Sequence, residues 1–127
     1  LFAPYPMTDD GWYIIPAKLA NGQAVDLWRN GSQVSWDKPD QVRHDYKNNR
    51  WLKYMRNIYL ARNAHLRLYF GRYLCRDWNS SHHGPEELRT FSIVYMMERT
   101  LPNYAVPKVE RLNLWRHDCF AKGPPTA

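Results

Sequence analysis

Four short groups in this chain carry residue types able to do chemistry. His82-His83 is an imidazole pair of the kind met at metal sites. Adjacent residues in a loop rarely aim at one ion, however, and no Cys, Asp or Glu stands near them at zinc spacing, so no metal is expected. His117-Asp118-Cys119 brings a base, a carboxylate and a thiol together, and a Cys–His pair can generate a nucleophile. Neighbours on a strand project to opposite faces, though, and no oxyanion site accompanies the trio. The third group, Tyr73-Leu74-Cys75-Arg76-Asp77-Trp78-Asn79, reads as a helix end whose polar side chains satisfy backbone groups and one another. The fourth is a set of cations in the middle of the chain: Arg50, Lys53, Arg56, Arg72 and Arg76. There is no glycine-rich phosphate loop, no G-x-S-x-G elbow and no H-E-x-x-H. No catalytic residue and no cofactor are therefore expected.

Charge is unevenly placed along the 127 residues, whose net charge is +6. Residues 1–40 carry three basic and five acidic side chains, residues 41–80 nine and two, and residues 81–127 six and five. The excess thus sits in the middle third, where it either solvates a helix face or attracts polyanions and anionic headgroups. Stacking of nucleic-acid bases needs aromatics beside such cations, and Trp28 and Trp78 are candidates. Periodicity nevertheless places most aromatic residues inward. Cys75 and Cys119 are too few for a disulfide framework and have no C-x-x-C spacing; they fit one bridge or two buried thiols equally well. Mean hydropathy is -0.70, and apolar runs such as Trp12 to Pro16 and Phe91 to Met97 fall far short of the ~20 residues of a membrane-spanning helix.

The elements that must position these residues follow from local pattern. Trp12 to Ala17 is rich in aromatic and β-branched residues and predicts a strand. Asn21-Gly22 predicts a type I′ hairpin, and Ala24 to Arg29 is the returning strand. A turn at Asn30-Gly31-Ser32 leads to Gln33-Val34-Ser35-Trp36, a short extension of the sheet. Asp40 then caps a helix from Gln41 to Arg62, with Trp51, Met55 and Ile58 on its core face and Arg50, Lys53, Arg56 and Asn57 opposite. A second helix from Ala64 to Trp78 has Leu66, Tyr69, Phe70, Tyr73 and Leu74 as its main apolar stripe. Leu68, Gly71 and Cys75 lie on the far side, with Arg67, Arg72 and Arg76 between, as in a helix covered from more than one direction. Leu88 to Glu98 alternates as a half-buried strand, and Val109 to His117 is a last strand with Leu112 and Leu114 inward. The order β-β-α-α-β-β predicts an α+β fold: an antiparallel sheet of about four strands with two helices packed on one face. Residues 1–127 read as a single soluble domain, with a proline-rich leading linker at 1–10 and a flexible tail at 121–127. The start at Leu1 and both chain ends suit a fragment of something larger.

Several segments, taken in order, carry a family resemblance. They are Leu1-Phe2-Ala3-Pro4-Tyr5-Pro6 with Asp10-Gly11-Trp12-Tyr13, Val25-Asp26-Leu27 with Val34-Ser35-Trp36-Asp37-Lys38-Pro39, Arg50-Trp51-Leu52-Lys53-Tyr54, Tyr73 to Asn79, and Leu114-Trp115-Arg116-His117-Asp118-Cys119-Phe120. Over roughly residues 1–120 the chain resembles the soluble C-terminal region of bacterial HTTM-domain membrane proteins, relatives of vitamin K-dependent γ-carboxylase. The resemblance implies that the proline-rich start leaves a last membrane helix, and that the family's catalytic base lies in the membrane-embedded part, outside these residues. It also implies an extracytoplasmic position, which would favour a Cys75–Cys119 disulfide.

The function expected is a non-catalytic accessory or docking domain of a membrane protein. It would present the basic helical surface of Arg50, Lys53, Arg56, Arg72 and Arg76 to its own transmembrane bundle or to a protein partner. Two alternatives belong to other classes: a nucleic-acid or anionic-surface binder using the same residues, and a small thiol-dependent enzyme built on Cys75 or Cys119.

Overall fold

The computed structural model describes residues 11–39, 49–60, 64–99 and 108–120. Within them the strands are β1 (Trp12–Ile14), β2 (Pro16–Leu19), β3 (Ala24–Asp26), β4 (Leu88–Arg99) and β5 (Lys108–Asp118), and the helices are α1 (Asn49–Tyr59) and α2 (Ala64–Asn79). The fold is α+β, with one antiparallel sheet and two helices. β4 is the central strand. β1 and β2 lie along one side of it, β5 runs along the other, and β3 flanks β2.

The first predicted strand is interrupted at Ile15. Pro16 has no N–H to donate, and the ladder breaks there. The buried Asp26 carboxylate fills the gap: its Oδ1 accepts from Ile15 N at 3.0 Å and from Trp28 N at 2.9 Å, while Leu27 N donates to Ile15 O at 3.0 Å. Burial raises the pKa of Asp26, and the two backbone donors oppose that shift. The same contacts end β3 at Asp26, so the predicted strand to Arg29 becomes a 3-10 turn over Leu27–Arg29. The hairpin also differs from the expected type I′ turn. Only Gly22 has positive φ, at 87°, and Gly22 N returns to Leu19 O at 2.9 Å.

Gln33 to Trp36 adds no strand; a single bridge pairs Ser32 with Asp26. Val34 and Trp36 instead lie over Trp12, Ile14, Val94 and Met96 on the sheet face away from the helices. Arg111 stacks on Trp36 at 3.7 Å, and Lys38 pairs with Glu98 at 3.1 Å, which holds this cover in place. β4 is therefore buried on both faces from Ile93 to Met97, not half-buried throughout. The predicted cap at Asp40, the helix from Gln41 to Asn48, the leading linker and the tail lie outside the described residues.

On the helix side, Tyr13, Tyr95 and Tyr59 form a tilted column with ring centroids 5.1 and 5.2 Å apart. Tyr13 Oη donates to Met55 O at 2.6 Å, fastening the sheet to α1. β5 has a bulge opposite Ile93/Val94, where Leu114 is passed over in the register. It places Leu112 and Trp115 on one face, so Trp115 and His117 are the buried residues, while Leu112 and Leu114 are only half-buried.

The bulge is met by Arg67, which is 7% exposed. Its Nε donates to Ile58 O at 2.8 Å, Nη2 to Tyr59 O at 2.9 Å and Nη1 to Leu114 O at 3.0 Å. Two carbonyls left open by the end of α1 and one freed by the bulge are thus satisfied by one guanidinium. Arg67 was expected between the faces of α2. It is instead a buried cation whose pKa is lowered by desolvation. Arg67→Met should destabilise the chain by about 3–5 kcal/mol, because three buried acceptors lose their donor. Arg67→Lys should recover only part of this, since an ammonium cannot reproduce the fork. Urea unfolding checks both, and a loss below about 1 kcal/mol for the Met variant would show the pin to be dispensable.

Candidate functional site

The helix layer leaves an open cleft on its outer side. Its volume is about 400 Å³, and it is lined by Arg50, Trp51 and Tyr54 of α1 and by Phe70 and Tyr73 of α2. Trp51 meets Phe70 edge-on at 6.2 Å, Tyr54 meets Phe70 edge-on at 5.7 Å, and Trp51 lies 6.2 Å from Tyr73. A smaller hollow of about 70 Å³ continues it toward Trp28, Asn30 and Asp77, sharing Trp51, Phe70 and Tyr73. Arg50, Lys53, Arg56, Arg72 and Arg76 are all exposed, and Arg50 lies in the cleft wall.

The cleft exists because α2 is rotated from the orientation its apolar stripe predicts. Arg67, Phe70 and Gly71 are its buried residues, whereas Tyr69 is 56% and Tyr73 38% exposed. The rotation is held from the β5 side. A Cβ on Gly71 would stand 2.8 Å from His117 Nδ1, so only glycine allows this approach. One turn on, Cys75 is bonded to Cys119 beyond the end of β5, at a Cα separation of 5.7 Å. Both cysteines of the chain are in that bridge, which leaves no free thiol.

The remaining residues singled out by type serve packing. His117 stacks on Phe91 at 5.3 Å, and its Nδ1 accepts from Trp115 Nε1 at 3.1 Å, which places its proton on Nε2. His82 stacks on Trp78 at 3.8 Å and sits against Trp78 O. Trp78 Nε1 donates to Glu86 O at 2.8 Å, so this pair is held in place with one face of each ring covered by the other. Trp28 is half-buried against Tyr13. Asn79 Oδ1 accepts from Leu88 N at 2.7 Å and holds the start of β4, while Arg76 and Asp77 are exposed. Among the described residues no group of three His, Cys, Asp or Glu is gathered for a metal. No helix among them is long and apolar enough to cross a membrane.

Sequence pattern assigns Trp51, Phe70 and Tyr73 to core faces; Phe70 is buried and Trp51 packs against the core, but Tyr73 is exposed, and that the three border a cleft beside Arg50 does not follow from periodicity. Comparison with protein-family models, with curated proteins and with solved structures finds no match.

Two measurements test the packing behind the cleft. Burial lowers the pKa of His117, the nearby Arg72 lowers it further, and Asp118 opposes them. The unfolded chain then takes up this proton more readily than the folded one, so the contribution is intact above pH ~6.5 and lost as pH falls below it. Wild type should lose up to about 1.4 kcal/mol per pH unit more than His117→Gln in that window. Identical pH slopes in the two proteins would refute the assignment. The disulfide closes a loop with a sequence separation of 44. Removing it by Cys75→Ala with Cys119→Ala should cost about 2–4 kcal/mol of unfolding free energy in calorimetry, and an unchanged midpoint would contradict this.

Proposed function

We propose that this chain is a non-catalytic docking domain of a larger membrane protein of the HTTM type, and that the outer face of its two helices is the docking surface. One observation carries the reading: Arg50 stands in the wall of an aromatic cleft that opens on this face, and Lys53, Arg56, Arg72 and Arg76 are exposed on the same two helices. The chemically reactive types support it from the other side. The sulfurs are tied in a bridge, and His117 and His82 are engaged in stacking and hydrogen bonding. The parentage rests on motifs such as Tyr73 to Asn79 and Leu114 to Phe120, and the docking role rests on the surface. Fully exposed ion pairs contribute little, so the affinity of such a face would come from the aromatic cleft, with the cations steering approach.

Both parts can be tested on the intact gene product in membranes. The encoded sequence upstream of Leu1 should contain several apolar stretches of ~20 residues; their absence would remove the parentage. A photoreactive residue replacing Lys53 should cross-link to the protein's own membrane portion, while one replacing Lys18 should not. Equal cross-linking from both positions would refute the docking face.

A second reading has one observation in its favour. The exposed Tyr69 and Tyr73 stand beside Arg72 and Arg76 on α2, an arrangement able to stack and neutralise a single-stranded nucleic acid.

A further inference from the structure

We propose that the α1–α2 cleft is an anchor pocket for an acidic protein segment, one that inserts a single large apolar side chain and places a neighbouring carboxylate on Arg50. The inference rests on the docking reading and specifies the chemistry of the partner.

Three features point to this occupant. The first is composition. Trp51, Tyr54, Tyr73 and Arg50 are of the residue types that dominate binding energy at protein interfaces, and here they converge on one concavity. The second is shape. At about 400 Å³ the cleft falls in the range of ligand pockets, and Phe70, buried, sets its depth between Trp51 and Tyr54. Trp51 and Tyr54 stand edge-on to Phe70 as two upright walls, while Tyr73 runs nearly parallel to Phe70 at 6.3 Å; a walled slot of this kind suits an inserted side chain better than a stacked base.

The third is charge. Among the described residues no carboxylate lines the cleft itself, and Asp77 belongs to the smaller adjoining hollow. Lys53 and Arg76 are exposed on the same two helices. A partner with acidic residues beside its anchor is attracted over the approach and gains an Arg–carboxylate pair on seating. A second copy of the chain would bring a net charge of +6 against the same sign and be repelled.

The test uses the 127-residue chain and fluorescein-labelled 12-residue peptides of Glu, Ser and Gly around one central Phe. The Phe peptide should bind saturably in fluorescence anisotropy. Replacing its Phe by Ala, or its Glu residues by Gln, should weaken binding at least tenfold. Arg50→Glu and Tyr73→Ala should each weaken it about tenfold, whereas Lys18→Glu, on a strand of the sheet, should leave it unchanged. Both cleft positions are at the surface, and circular dichroism verifies that the variants remain folded. Equal binding of the Phe and Ala peptides would overturn the proposal, as would indifference to Arg50→Glu. So would tighter binding to a single-stranded oligothymidylate, or to phosphatidylglycerol vesicles, than to the peptide. If the Lys53 cross-link to the membrane portion persists while the peptide fails, docking stands and the anchor pocket falls. If neither is seen, both fall.

Discussion

The buried guanidinium of Arg67 is the interaction on which the arrangement of this domain depends. It lies in the first turn of α2, where a cation opposes that helix's own dipole, yet it sits at the C-terminal end of α1, where a cation is favoured. Its third donor reaches the bulge of β5. One side chain therefore fixes the junction of the two helices and the distance of both from the last strand. Among the described residues it donates to the carbonyl oxygens of Ile58, Tyr59 and Leu114, so its desolvation is offset by three charge-assisted hydrogen bonds.

Asp26 and Asn79 repeat the device on a smaller scale. Each sits where regular backbone pairing stops: Asp26 beside the break before Pro16, and Asn79 at the last residue of α2, facing the first residue of β4. Apart from His117, whose partners are the side chains of Trp115 and Phe91, these polar groups sit at discontinuities of the backbone, where an unpaired N–H or C=O would otherwise be buried. Outside those points the core is carried by aromatic and aliphatic contacts, with the tyrosine column of residues 13, 95 and 59 at its centre.

The sequence made the periodic parts of this fold readable. Phe91, Ile93, Tyr95 and Met97 alternate inward, and Met55 and Ile58 recur at helical spacing, as their burial bears out. What it hid has one physical cause: propensity and periodicity describe an element alone, and the missed features depend on a second element. The apolar stripe of α2 lies about one residue, or ~100°, from the centre of the face that is buried. Apolar character alone ranks Tyr69 and Tyr73 above Gly71 and Arg67. A glycine inside a helical pattern is the one local signal of close approach, and here it marks the contact with His117. The bulge at Leu114 gave no comparable sign, because Leu112 and Leu114 satisfy strand alternation by themselves.

That rotation links the folding constraints to the candidate site. Arg67, Gly71 and Cys75 all draw α2 toward β5, and the opposite flank of the helix, with Tyr73, is turned away from the sheet. Tyr73 then meets Trp51 at a ring-centroid distance of 6.2 Å, and the two rings border the cleft together. Had α2 buried the stripe its sequence suggests, Tyr69 and Tyr73 would pack inward, and Arg50 would border an ordinary helix seam. The aromatic cleft is thus the complement of the contacts that fasten α2 to the last strand. Side chains that never touch the cleft hold it open.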